Sequence, residues 1–355
     1  MYKGRHKQEE RGLRAPRITY LITRAHGLKT HLLKPEDIRL LVRSRDVREI
    51  VDYLAKGDYS SEIAKIPIME VEEVKLERLF REKLSRRFYH VLMIAHGSIR
   101  DALYEYVRRI EVENIKRILR AKHGGEHISE DDLIPIPRRY LLINFPAMIE
   151  SGDLRECIQL LRETVYASLI DILPLYEDFK TSLIFETRLD SIYFNRVWRA
   201  IKKIPDRGEV ESLIGVEIDL RNLLNLIAMK TAGVSQELFT KILPDVFFKL
   251  SREDLTSFFR LDIDGMSEAL SRTVYAESLR DGIPLLERRR FSEFESFLLK
   301  TIYDHSFKTM LRHPLSIAYV FAYLMQCERE CRNLISLIYA KKLGFTESDT
   351  ETLLI

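Results

Sequence analysis

Residues 219–230 read Asp-Leu-Arg-Asn-Leu-Leu-Asn-Leu-Ile-Ala-Met-Lys, and two other stretches read almost the same way. Residues 111–122 are Glu-Val-Glu-Asn-Ile-Lys-Arg-Ile-Leu-Arg-Ala-Lys, and residues 330–341 are Glu-Cys-Arg-Asn-Leu-Ile-Ser-Leu-Ile-Tyr-Ala-Lys. Each has an acid, an Asn three residues later, aliphatic residues one and four after the Asn, and a Lys eight after it. The asparagines, Asn114, Asn222 and Asn333, lie 108 and 111 residues apart. A glycine follows each lysine within three residues (Gly124, Gly233, Gly344), as a left-handed helix C-cap requires.

Two further markers keep the same period. Tyr59, Tyr166 and Tyr275 precede their asparagines by 55, 56 and 58 residues, the last two within a shared Thr-Val-Tyr-Ala. Glu77, Glu186 and Glu295 precede them by 37, 36 and 38. A fixed period of about 110 residues carried by independent markers is the signature of a repeated structural unit.

The fold class expected is therefore all-α: three similar helical repeats with pseudo-threefold symmetry forming a funnel-shaped socket. The repeats are placed at 18–126, 134–234 and 243–345, with a basic flexible tail at 1–17 and a C-terminal tail at 346–355. Each repeat is expected to hold two short helices, then two long ones. In the first, short helices are expected near 36–44 and 46–56, and long ones near 71–95 and 98–121. The last long helix is expected to start at Pro314, where a missing N–H costs nothing, and to run about 28 residues, or about 42 Å. Links at 123–139, 203–208 and 281–287 hold the breakers Gly124, Gly125, Pro135, Pro137, Pro205 and Pro284.

At about 100° per residue, an acid and a lysine eleven positions apart fall within about 20° of one another, with the Asn between. The candidate stripe residues are Glu111, Asn114 and Lys122; Asp219, Asn222 and Lys230; and Glu330, Asn333 and Lys341. Two roles are open to them: satisfying backbone and arginine groups between repeats, or lining a central opening that grips a shaft.

Composition narrows the function. Gly (14) and Pro (11) are few for 355 residues, and 46% of residues are hydrophobic. The net charge is +3, but residues 1–17 alone carry +4, so the body is nearly neutral and no nucleic acid is expected as a partner. Three cysteines (Cys157, Cys327, Cys331) are too few for a disulfide framework and are expected as packed thiols. No leader and no apolar run of about 18 residues is expected. No P-loop and no G-x-G-x-x-G occur, so nucleotide chemistry is not expected in this chain. His123-Gly-Gly-Glu126-His127 formally fits H-x-x-E-H, but two glycines just past a helix end spoil a metal face. No catalytic residue, metal, cofactor or direct small-molecule ligand is expected. Trp198 is expected in a core or interface.

The pattern Glu217-Ile-Asp-Leu-Arg-Asn-Leu-Leu-Asn-Leu-Ile, the run Cys327-Glu-Arg-Glu-Cys-Arg-Asn-Leu-Ile, and Tyr20-Leu-Ile-Thr-Arg24 followed by Leu32-Leu33 resemble the C subunit of A-type ATP synthases and prokaryotic V-type ATPases, related to the d subunit of the eukaryotic V-ATPase. The resemblance covers about residues 19–345. It implies an archaeal, non-catalytic connector on the central stalk of a rotary ATPase, serving ATP synthesis or ion pumping. The implied partners are the D and F subunits of the stalk and the proteolipid ring. The implied place is peripheral, on the cytoplasmic face of the membrane. Departures sit in the first repeat, which has Arg109 where the others have Glu217 and Glu328 and lacks Thr-Val-Tyr-Ala. A helical-repeat scaffold that binds peptide or RNA, with residues 1–17 as a basic hook, is the alternative.

Overall fold

A computed structural model describes residues 17–66, 72–205 and 207–355. The basic stretch 1–16 lies outside the described residues. Among the described residues the structure is helical, with no strand. The described residues divide into two compact units, those up to 103 together with 305–355, and those between 104 and 304.

The chain opens with α1 (residues 17–29), then the short α2 (Pro35–Val42), α3 (Val47–Leu54) and α4 (Ser60–Ile63). The long α5 (Glu73–Ile94), α6 (Gly97–Val107) and α7 (Arg109–Gly124) follow. The short α8 (Phe145–Glu150), α9 (Leu154–Gln159) and α10 (Leu173–Phe179) lead to the long α11 (Leu183–Ile201) and α12 (Gly208–Thr231). The series then recurs: α13 (Gln236–Ile242), α14 (Arg252–Arg260), α15 (Ile263–Leu270), α16 (Ala276–Leu279) and α17 (Ile283–Glu287), then the long α18 (Phe291–Arg312) and α19 (Ala318–Lys342), and finally α20 (Glu347–Thr352).

Side-chain caps explain where the short helices begin. Asp46, Asp153 and Asp262 each accept a hydrogen bond from the backbone N–H three residues on, which satisfies one of the donors a helix start leaves open. Ser251 and Asp254 form a reciprocal capping box at α14. The helix ends are equally regular. Gly125, Gly233 and Gly344 adopt φ of 67°, 69° and 72°, a region that disfavours side chains. In the first copy the cap is thus Gly125, and Gly124 remains helical.

Several expectations need correcting. α19 begins at Ala318, not at Pro314, because Pro314 occupies a turn closed by the Ser316 N–H on the His313 carbonyl, and the Ser316 hydroxyl accepts from the Ala318 N–H. The second long helix of the first repeat is interrupted at Arg108, giving α6 and α7. The stretch 281–287, expected as a link, contains α17, since Pro284 sits in the helix's first turn, where proline is compatible. Within residues 346–355, Glu347–Thr352 form α20, and the Ile355 backbone is tied to Asn333.

The core is aliphatic and aromatic. Within α19, Val320, Phe321, Leu324, Leu334, Leu337 and Ile338 are wholly buried, as helical spacing implied. α19 packs along α5 in one unit, and α11 packs along α7 and α12 in the other. Among the described residues α18 has no comparable packing against α12. No helix among them is long and apolar enough to cross a membrane.

Candidate functional site: three polar joints

All nine stripe residues are engaged in internal hydrogen bonds. The six acids and asparagines are 0–6% exposed, and the three lysines are half-buried. What they engage is the same in kind each time.

The lysines hold the C-terminal carbonyls of short helices. Lys122 Nζ donates to the Ile149 carbonyl (2.7 Å) and the Ser151 carbonyl, at the end of α8. Lys230 Nζ donates to those of Phe259 (2.7 Å) and Leu261 (2.6 Å), at the end of α14. Lys341 Nζ donates to the Val42 carbonyl (2.5 Å), at the end of α2. A cation at a helix C-terminus satisfies open acceptors and offsets the helix dipole.

The acids receive the marker tyrosines, each at 2.7 Å. Tyr166 donates its hydroxyl to Glu111, Tyr275 to Asp219 and Tyr59 to Glu330. Each tyrosine therefore meets the acid of the preceding copy, and the first copy's tyrosine meets the third copy's acid. Burial first, then the neighbouring carboxylate, holds all three phenols above their usual range, so they remain hydroxyl donors.

The asparagines tie a helix to the chain that follows it. Asn114 donates to the Ile134 carbonyl and accepts from the Ile134 N–H, both at 2.8 Å. Asn333 makes the same reciprocal pair with Ile355, at 3.1 and 2.9 Å. Asn222 donates to the Val246 carbonyl at 3.0 Å.

The means of neutralising each acid differs. Glu111 takes the Arg108 guanidinium at 2.8 Å. Glu330 takes Arg87 at 2.6 Å, and Arg87 also binds Asp58 at 2.9 Å. Lys83 and Glu62 extend that buried network. Asp219, one methylene shorter, accepts instead from the backbone N–H groups of Phe248 (2.9 Å), Lys249 (2.7 Å) and Leu250 (3.0 Å). Charge-assisted bonds of both kinds are the strong ones.

Arg109, the departure in the first repeat, pairs with Glu217, the residue at the matching place in the second. The two bonds are 2.9 and 3.1 Å, and the guanidinium lies over the Tyr106 ring at 4.0 Å. Glu328, the third member of that position, pairs with Arg332 on its own helix.

A fourth periodic marker emerges only from the structure. Asp46-Val-Arg-Glu49 and Asp153-Leu-Arg-Glu156 share the N-cap described above and a second bond. In it, Glu49 accepts from the Arg45 N–H and Glu156 from the Gly152 N–H, at 2.8 and 2.6 Å. The sequence signal for it is a capping pattern rather than hydrophobic spacing.

Other candidates are placed quietly. α7 ends at Gly124, so His123 and His127 share no helix face, and His123 Nδ1 lies 3.0 Å from the Tyr176 hydroxyl. All three cysteines are buried free thiols, and burial pushes those of Cys327 and Cys331 up to about 12. Among the described residues no three His, Cys, Asp or Glu side chains form a group that could hold a metal. Trp198 packs edge-on against Phe248.

Long helices held by recurring Tyr–acid and Lys–carbonyl hydrogen bonds define an all-helical protein with a buried polar framework. Comparison with known proteins identifies which one. Residues 21–353 match the family described as ATP synthase (C/AC39) subunit, and the chain belongs to that family. It is 24% identical to the C subunit of the A-type ATP synthase from Methanobrevibacter smithii, over 92% of this chain and 85% of that protein. It is 24% identical to the protein of the same name from Methanosarcina mazei, over 97% and 94%. The same identity holds for that of Archaeoglobus fulgidus, over 94% of each.

Proposed function

We propose that this protein is the non-catalytic connector of a rotary ATP synthase. In this reading one side receives the tip of the central stalk, built by the D and F subunits. The other rests on the proteolipid ring, at the cytoplasmic face of the membrane. The functional units are the three repeats 18–126, 134–234 and 243–345.

The observation that carries the reading is the joint made three times over. A part that passes torque between a shaft and a ring must not bend under load. Each long stripe helix is held by its lysine on a helix end, its acid on a tyrosine and its asparagine on the following chain. Stiffness of this kind needs no nucleophile, metal or phosphate cradle. The nine stripe residues serve as joints, because their polar ends are spent inside the protein. Contacts to the shaft then fall to other side chains.

The test is extraction of membranes in mild detergent, followed by capture of a tagged copy of this chain. Stalk and proteolipid components are expected in the captured material, and the isolated chain is expected to hydrolyse no ATP. Recovery of the chain only as a free species would overturn the reading.

A further inference from the structure

The turn between α18 and α19 carries an apolar surface that folding leaves uncovered. Leu315 is 85% exposed, Leu311 61% and Phe307 39%. Leu311 and Leu315 are four residues apart across the end of α18. The turn is held in shape, since its first residues are fixed by the His313–Ser316 bond and its Pro314 carbonyl lies 2.7 Å from His26 Nε2. His26 also stacks on Tyr319, ring centroids 3.8 Å apart, and Lys29 sits over the Phe307 ring at 5.5 Å. The end of α1 is thereby fastened to the turn.

Charge on these two segments has one sign. Residues 17–35 and 305–327 contain six Lys or Arg and no Asp or Glu. The cations at the turn itself are Lys29, Lys308 and Arg312, with His313 beside them. A chain with nearly equal numbers of acids and bases thus sets Lys29, Lys308 and Arg312 near two projecting leucines, with Asp304 one turn before Lys308 as the adjoining acid on α18. Cations alone would suit any polyanion. Leucines at this exposure add a preference for a surface that offers hydrocarbon beneath its negative charge, which a nucleic acid does not.

We propose that this corner, the α18–α19 turn with the end of α1, docks on an anionic lipid bilayer. Leu311 and Leu315 enter the headgroup–acyl boundary, and Lys308, Arg312 and Lys29 meet lipid phosphates. Such docking goes beyond the connector role, because it requires neither stalk nor ring.

The experiment is flotation of the full chain with vesicles of phosphatidylcholine alone or mixed with phosphatidylglycerol. One variant combines Leu311→Ser with Leu315→Ser, and a second combines Lys308→Glu with Arg312→Glu. Leu343→Ser, at a position 66% exposed just past α19, is the control. All five positions are surface side chains, and thermal melting checks that each variant folds. The wild type and the control are expected to float with mixed vesicles, and each double variant to bind about tenfold more weakly. Binding unchanged by the leucine substitutions would overturn the proposal, since residues 1–16 or charge alone would then account for it. So would poly(U) binding as tight as vesicle binding and sensitive only to the charge reversal. Absence of binding to mixed vesicles by the wild type would overturn it as well.

Discussion

α19 and α12 carry the same stripe, yet their surroundings differ in two linked ways. Glu330 on α19 is neutralised by the buried Arg87 guanidinium, and α5 lies along the same helix, where Glu77 accepts from the Tyr339 hydroxyl at 2.8 Å. Asp219 on α12 is satisfied by three backbone N–H groups, and among the described residues α18 has no comparable packing against that helix. The position six after the Asn explains part of the contrast. It is Tyr339 on α19, which meets Glu77, and Arg120 on α7, which meets Glu186. On α12 it is Ala228, which carries no polar side chain. One template thus yields a joint closed by long side chains and a joint closed by backbone alone.

The contrast can be broken by substitution. The largest effect is expected from Glu330→Ala, which leaves the buried Arg87 with Asp58 as its remaining acid partner and deprives the Tyr59 hydroxyl and the Leu33 N–H of their acceptor. Removing one partner of a buried ion pair costs about 3–5 kcal/mol, to be read from the shift in a urea unfolding curve. Asp219→Asn strands no cation and is expected to cost less, about 1–3 kcal/mol. Equal losses for the two would show that the guanidinium and the backbone amides are energetically interchangeable, and the comparison would fail. Tyr59→Phe, Tyr166→Phe and Tyr275→Phe each delete one hydroxyl at 2.7 Å from a carboxylate. Each is expected to cost about 1.5–3 kcal/mol, with the three values close together if the joints are equivalent.

The smallest effect is expected at Glu295. Burial raises its carboxyl above the ordinary 4.5. A raised folded-state value means that the favourable contribution is present below about pH 4.5 and is lost as the pH rises through the folded value. Glu295→Gln is therefore expected to raise the melting temperature slightly at pH 7 and to leave it unchanged at pH 4. An effect independent of pH would point to packing instead.

Much of this framework is legible in the sequence. The Asn and Lys positions, the tyrosines and the period of about 110 residues follow from side-chain type and spacing. Which copies meet is not legible. Tyr166 stands 55 residues after Glu111 and 53 before Asp219, so spacing alone cannot tell which acid it serves. Only packing decides that it reaches back to Glu111. The role of Arg109 is hidden for a related reason. It looks like decay of the pattern because its partner, Glu217, lies 108 residues away on another helix. Local proline chemistry misleads in both directions. Pro314 is compatible with a helix start and forms a turn, whereas Pro284 is compatible with a break and starts a helix. The leucines at 311 and 315 give no sign of exposure, because hydrophobic spacing does not reveal which turns of a helix run past the core.

The Glu330 joint also sets a timetable. Leu33, Tyr59 and Arg87 are separated from Glu330 by 297, 271 and 243 residues. On a ribosome the first-made helices must wait, with the Tyr59 hydroxyl lacking its acceptor and Arg87 paired to Asp58 without Glu330, until α19 emerges. Contacts of such sequence separation close slowly, and the waiting surface is the one most exposed to chaperones and to mispairing with a second nascent chain.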